Sequence, residues 1–513
     1  MTALLSAALL AFGGAAPQVA SADSGAPASA VAVSEEPVAI GKWHFDESGG
    51  VAMDSSTAVE ADQDNATLSA SGASRDDRGR RGLITRDGIG AELPNPVTDT
   101  ALTLDGSAGY AETAGPVVDT QASYTVSAWA RIAAAPTHDY AVVSQVGTDA
   151  TASGFSLHYS AEYKGWVFDR HWRDAAGASH IVSSYAERTS IPFGVWTYVA
   201  GAYDADARTI QLYVNGLAQG EPVTLDTGLP TAADGPFMMG RTLYTPGDHT
   251  DYFGGQIDEV HAWTRRLDDD EVKLDARLLL DNGYEATELV AAWNAAGASG
   301  SSLADTASGY GRSLDLSGGA SLDGDALVLD GVDGAATASG PLVDETGSFT
   351  VMTSVSLDSA ALADKPIGHI AQVLGQSAPD GSAWGFWYQL SGTEYNPETD
   401  TETKVGIWKF GRINADGTFT GAKSDEVSVP DDNPVRMTGV YDAPSGAVIF
   451  YLGVNQQGTE YTYPAIVGTG DFAVGKGRVG SGWGHYLRGS VTDVRIWAGA
   501  MRNANQIADV GGS

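Results

Sequence analysis

Asp258 and Glu259 come closest to a recognisable catalytic pattern, in the run Gln256-Ile-Asp-Glu-Val260. Alternate residues on a strand share a face, so acid chemistry on a strand needs carboxylates two positions apart. These two acids are neighbours, and strand alternation sends their side chains to opposite faces, which excludes them as an acid–base pair. The related run Ser490-Val-Thr-Asp-Val494 is poorer still. The chain has no Gly-x-Ser-x-Gly nucleophile elbow and no His-Glu-x-x-His metal helix. His171, in Asp169-Arg-His-Trp172, is the suggestive histidine, against the plainer reading of a surface or core residue. With no cysteine, a thiol nucleophile, a cysteine zinc site and disulfides are all excluded.

Binding chemistry has more candidates. A pyranose stacks its C–H faces on flat rings while nearby polar groups fix the hydroxyls. Trp166 and Trp172 flank Arg170, and Trp384, Trp387, Trp408 and Trp483 supply rings further along, so these seven residues are the expected ligand contacts. The alternative is core packing: Trp166 and Trp408 lie two positions from Phe168 and Phe410, which requires at least one buried strand face.

The elements that must carry these residues are strands. The chain has 513 residues, 64 of them glycine, and only 18% are charged, a balance that suits many short strands and tight turns. Its main feature is an internal duplication. Ser123-Tyr-Thr-Val-Ser-Ala-Trp-Ala-Arg-Ile132 matches Ser348-Phe-Thr-Val-Met-Thr-Ser-Val-Ser-Leu357, both with the period-two alternation of half-buried strands. Leu102-Thr-Leu-Asp-Gly106 matches Leu327-Val-Leu-Asp-Gly331, and Ala200-Gly-Ala-Tyr-Asp204 matches Thr438-Gly-Val-Tyr-Asp442. Gly255-Gln-Ile-Asp-Glu-Val-His-Ala-Trp263 matches Gly489-Ser-Val-Thr-Asp-Val-Arg-Ile-Trp497 and closes each copy. Asn215-Gly216 is a hairpin signal in the first copy. Asp268 and Glu271 have capping-box spacing ahead of a short helix.

These copies imply an all-β chain of two tandem antiparallel β-sandwiches, over residues 40–283 and 288–511. Ahead of them, Ala3 to Phe12 forms an apolar run and Ala20-Ser21-Ala22 a cleavage-type site, so residues 1–22 are expected to be a signal peptide. Residues 23–39 are expected to be a disordered linker, and the protein to be secreted. The formal net charge of −36 repels phosphate backbones and anionic lipids, which argues against nucleic acid, and no apolar stretch past the leader is long enough for membrane insertion. That acidity reads either as solubility or as divalent-cation binding.

The ordered motifs resemble a known family. Trp43-His-Phe-Asp-Glu-Ser-Gly49, Asp54-Ser-Ser56, Leu104-Asp-Gly106, Tyr124-Thr-Val-Ser-Ala-Trp129, Trp196-Thr-Tyr-Val199, Leu212-Tyr-Val-Asn-Gly216 and Gly255-Gln-Ile-Asp-Glu-Val260 are similar to the bacterial laminin-G-like, concanavalin-A-like lectin/glucanase jelly roll. The second copy departs from it: Trp293 and Asn294 stand in place of Phe45 and Asp46, and Thr492 in place of Asp258. The resemblance implies jelly rolls. It also implies that a glucanase would carry glutamates where Gln256 and Val260 stand, so the chain is expected to be non-catalytic. A structural Ca²⁺ is a further implication, held by Asp54 with Asp258 in the first copy and by Asp305 with Asp493 in the second; the other reading is that Asp54 caps a turn. The expected function is binding or adhesion to a polysaccharide, a cell-surface glycan or a cell-surface protein. Alternatives are a polysaccharide-active enzyme with loop-borne acids and a structural spacer. No sequence pattern specifies an oligomeric state.

Overall fold

A computed structural model of the chain describes residues 38–57, 63–86, 92–148, 152–186, 191–225, 228–245, 247–280, 283–307, 309–378, 380–397, 400–430, 433–463, 467–480 and 482–511. The expected signal peptide and nearly all of the expected linker lie outside the described residues.

Alternating apolar residues build two β-sandwiches whose strands pair antiparallel throughout. In the first, one sheet runs in space through Thr209–Val214, Thr197–Asp204, Tyr124–Ile132, Gly254–Trp263, Ala101–Asp105 and Ala73–Asp76. The opening strand Gly41–Trp43 also pairs with the closing strand Gly254–Trp263. The facing sheet runs through Ser179–Tyr185, Gly165–Arg173, Ser153–Ser160, Tyr140–Val146, Phe237–Met239 and Ala111–Thr113. Val126, Ala128, Ala130 and Ile132 point between the sheets with Phe155, Leu157, Phe168 and Ile257, forming one buried core.

The second sandwich repeats this order. Ala447–Leu452, Val435–Asp442, Phe349–Leu357, Arg488–Ala498 and Ala326–Asp330 form one sheet, with Glu288–Trp293 on the closing strand Arg488–Ala498. The facing sheet runs through Phe419–Lys423, Thr401–Ile413, Ala383–Asn396, Ile370–Ser377, Phe472–Val474 and Ala335–Ala338. The duplication read from the sequence is therefore a duplication of topology.

The register corrects one sequence match. Trp43 pairs with Val260 and Trp293 with Val494 in corresponding closing strands. Trp293 is thus the counterpart of Trp43, and Asn294 that of His44, rather than of Phe45 and Asp46. Each tryptophan stacks on a phenylalanine of the facing sheet at an interplanar angle of 17°: Trp43 on Phe237, Trp293 on Phe472.

Local signals hold where their chemistry is specific. Asn215 and Gly216 both take positive φ, as their two-residue hairpin requires. The second copy turns on Gly453 at φ +60° instead. Asp268 and Glu271 close a capping box on the helix Asp269–Arg277. That helix, through Val272 and Ala276, the residues Leu278, Leu280 and Ala286, and the second sandwich pack on the outward face of the first sandwich's Tyr124-containing sheet. Trp129, Trp196, Tyr198, Tyr213 and Trp263 share a single apolar cluster with the core of the second copy.

Candidate functional site

The structure withdraws most of the expected sugar platforms. Trp166, Trp384, Trp387 and Trp408 are at most 2% exposed and lie between or against the sheets. Their side chains share the parity of the core-facing phenylalanines, or, for Trp387, donate from Nε1 to the buried Gln372 at 2.8 Å. Arg170 is fully buried and donates to the carbonyls of Gly154, Thr120 and Thr231 while lying over the Tyr203 ring. Trp172 is half-buried with one face on His180, and a Cβ at Gly228 would overlap its ring. Trp483 is also half-buried, with the Lys476 and Arg478 cations 4.5 and 4.3 Å from its ring centroid. None of the seven is an open stacking surface. His171, also buried, is lowered to about 4 by burial and by the Arg170 charge, so its ring is neutral.

The expected calcium pairs do not form. Asp54 accepts the backbone N–H groups of Lys42, Ser56 and Asp64 at 2.9, 2.9 and 3.0 Å, which makes it the cap of an opening turn. Asp305 repeats this with Ala292, Ala307 and Arg312 at 2.9, 2.9 and 3.2 Å. In both copies the carboxylate oxygens serve the N–H groups of the turn, which is the geometry of a cap. Asp493 pairs with Arg495 at 2.7 Å instead of with Asp305. Among the described residues, Asp258 clusters with Asp99 and Glu259, and Asp54 belongs to no such group.

That cluster overturns the alternation argument for the acid pair. A bulge interrupts the closing strand between Asp258 and His261, and Glu259 sits in the left-handed region at φ +46°. The extra residue brings Glu259 onto the outward face with Asp258 and His261. The Glu259 carboxylate lies 2.7 Å from His44 Nδ1 and 3.6 Å from His261 Nε2. His261 Nδ1 in turn meets Asp275 of the helix at 2.6 Å, and Asp275 accepts from Ser127 and Tyr198 at 2.7 Å each. Asp258 accepts the backbone N–H groups of Arg80 and Glu259 at 2.7 and 2.8 Å. Burial, followed by the neighbouring carboxylates, pushes Asp99 and Asp258 well above the usual range. Burial would also raise Glu259, but His44, His261 and Arg81 hold it well below. His261 is raised to about 9: burial would lower it, and Asp275 with Glu259 overcomes that. Nothing in the sequence marks the bulge, because glutamate is not a residue selected for positive φ.

Open space lies at the seam between the sandwiches. On the first, the outward sheet face is closed: Arg80 lies 4.1 Å above the Trp129 ring, and Arg131 lies 4.3 Å from the ring of Tyr310, a residue of the second copy. On the second, the outward residues Ser354, Ser356, Ser490 and Thr492 are only half-buried. Further along the same strand, a cavity of about 580 Å³ opens beside Arg495 and Asp493. Asn294, Tyr284, Glu285 and Arg81 also line it. Glu285 is 6% exposed; one oxygen accepts the Ala500 N–H at 2.9 Å and the other has no hydrogen-bond partner. Burial and then the Asp442 charge raise its carboxyl to about 8. Sequence reasoning missed this cavity because its residues come from three distant segments, and the closing motif that carries Asp493 and Arg495 gives no sign of what packs beside it.

Residues 105–273 match the concanavalin A-like lectin/glucanases superfamily. Domain 4 of an extracellular arabinanase from Geobacillus stearothermophilus, solved with arabinotriose, is 20% identical, covers 47% of this chain and 100% of its own, and superposes with a TM-score of 0.32. The Ruminococcus gnavus sialidase carbohydrate-binding module bound to α2,6-sialyllactose is 18% identical over 30% of this chain and 83% of its own, at 0.26. The binding domain of botulinum neurotoxin serotype C1 is 12% identical over 91% and 96%, at 0.36. The chain matches no curated protein.

Proposed function

We propose that the chain, whose residues 105–273 match the concanavalin A-like lectin/glucanases superfamily, is an exported, non-catalytic carbohydrate-binding protein whose ligand enters the seam cavity. The observation that carries this reading is the cavity's lining. Its volume of about 580 Å³ falls within the range of small-molecule sites. Asn294 offers both donors and acceptors, Arg495 and Arg81 offer donors, and Asp493 accepts, which is the mixed set that vicinal hydroxyls need. Tyr284 supplies a half-buried ring for a C–H face. A closed first face and an open second face give one sandwich a scaffolding role and leave recognition to the seam.

The non-catalytic part rests on the acids: Asp99, Asp258 and Glu259 lie together but are at most 2% exposed, beyond the reach of a glycosidic bond. Retention on a glycan array and on insoluble polysaccharides tests the reading, comparing the full chain with Asn294→Ala and Asp493→Ala. Both variants are expected to lose retention while remaining folded by circular dichroism. Retention unaffected by both, but abolished by Tyr163→Ala in the exposed Tyr163–Tyr185 stack, would move the site away from the seam.

A further inference from the structure

We infer that His44, Glu259 and His261 form a binding site for a divalent transition-metal ion of the zinc type, separate from the seam cavity and from the calcium positions expected by resemblance. One ligand atom from each of the three residues lies within 4.8 Å of the others. A tetrahedral ion with bonds of about 2.0–2.1 Å holds its ligand atoms roughly 3.3 Å apart. The observed 2.7 Å between His44 and Glu259 and 3.6 Å between Glu259 and His261 bracket that spacing, so shifts of a few tenths of an ångström admit the ion.

Two further observations point to an ion. First, His261 and Glu259 are 4% and 2% exposed, yet His261 Nε2 has no hydrogen-bond partner and Glu259 Oε1 has only the Arg81 guanidinium at 3.7 Å. Unpartnered polar atoms at that depth are costly and are rare without an unoccupied role. Second, His261 already has the partner that metal-bound histidines use. Its Nδ1 is fixed at 2.6 Å by Asp275, itself held by Ser127 and Tyr198, which leaves Nε2 directed at Glu259.

The ligand set decides the class of ion. Two imidazoles and one carboxylate suit zinc and its neighbours, whereas calcium takes six or more oxygens. The all-oxygen group Asp99–Asp258–Glu259 is the poorer host, because the Arg80, Arg81 and Glu259 amides already occupy oxygens of both aspartates. His44 is the way in: its side chain is 24% exposed while Glu259 is 1%. Three protein ligands with one side facing solvent leave a fourth position for water.

The test uses the untagged full chain, freed of metal with chelator. Titration with Zn²⁺ by calorimetry is expected to show one tight equivalent per chain, and Co²⁺ to give the visible absorption of a tetrahedral site. His44→Ala removes a half-exposed ligand and should leave the fold intact by circular dichroism. It is expected to lose more than the roughly 10–100-fold in affinity that follows loss of an outer-shell partner. Wild-type protein that takes up no stoichiometric Zn²⁺, or a folded His44→Ala that binds Zn²⁺ as tightly as wild type, overturns the inference. Loss of glycan retention without loss of Zn²⁺ uptake bears on the seam alone.

Discussion

Trp196 Nε1 donates to the Glu288 carboxylate at 2.6 Å across the seam, joining the outward face of the first sandwich to the first strand of the second. Tyr310 donates to the other oxygen of the same carboxylate. The two sandwiches are therefore joined through buried polar groups as well as through the apolar cluster.

Glu288 makes that junction sensitive to pH. Burial raises its carboxyl to about 8, against the opposing influence of Tyr310, Arg131 and Arg80, and Glu285 in the same segment also stands at about 8. In the unfolded chain both titrate near 4.5. Between those values the folded state holds protons that the unfolded state has released, so stability falls as pH rises. The Tm of the wild type is expected to decline from about pH 5 to about pH 8 and to level off above. Glu288→Gln should flatten part of that slope. A Tm that rises across this window, or a slope untouched by the substitution, contradicts the assignment.

Gly201 and Gly439 hold equivalent positions and face equivalent rings. A Cβ at Gly201 would overlap Phe168, and one at Gly439 would overlap Phe410. Both glycines are in ordinary strand geometry, so the constraint is space between sheets and not backbone freedom. Gly201→Ala and Gly439→Ala are each expected to cost about 1–3 kcal/mol in urea denaturation. Combining Gly201→Ala with Phe168→Leu should recover part of the loss, since the pair shares one volume.

These glycines show what a sequence with two copies discloses. Ala200-Gly-Ala-Tyr-Asp204 and Thr438-Gly-Val-Tyr-Asp442 could be aligned because strand alternation and a shared steric need keep the same residues in place. The fold was legible for that reason. The candidate sites were not. Trp166 and Trp408 obey the same alternation as their core neighbours and are buried with them, while Trp172 and Trp483 are flanked by His180 and by Lys476 with Arg478. The His44–Glu259–His261 group depends on a bulge that breaks alternation at one residue. The seam cavity depends on how two sandwiches meet, and no local pattern encodes that.

Asp54 and Asp305 test the capping assignment against the ionic one. Each carboxylate accepts three backbone N–H groups from corresponding residues of its copy. Removing it strands those donors, at about 1–3 kcal/mol per buried group left unsatisfied. Asp54→Ala is expected to lower the Tm, and by the same amount with and without a calcium chelator. If the chelator removed the difference between wild type and variant, the aspartate would be holding an ion, because a ligand bound only by the folded state raises apparent stability.

The bulge makes a prediction that separates the two copies. Asp493 stands at φ +50°, as Glu259 stands at +46°, so both closing strands bend at the same place. Asparagine tolerates this conformation and a β-branched residue does not. Asp493→Val is expected to cost about 1–2 kcal/mol, whereas Asp493→Asn should cost little beyond its 2.7 Å contact with Arg495, a half-exposed ion pair worth at most about 1 kcal/mol. In the first copy the same comparison comes out differently. Glu259→Asn satisfies the backbone equally well but leaves His44 and Arg81 facing an amide in a site whose side chain is 1% exposed. Its cost should therefore exceed that of Asp493→Asn clearly in urea denaturation. Equal costs would mean that the bulge alone, and not the charge cluster built on it, fixes the identity of this residue.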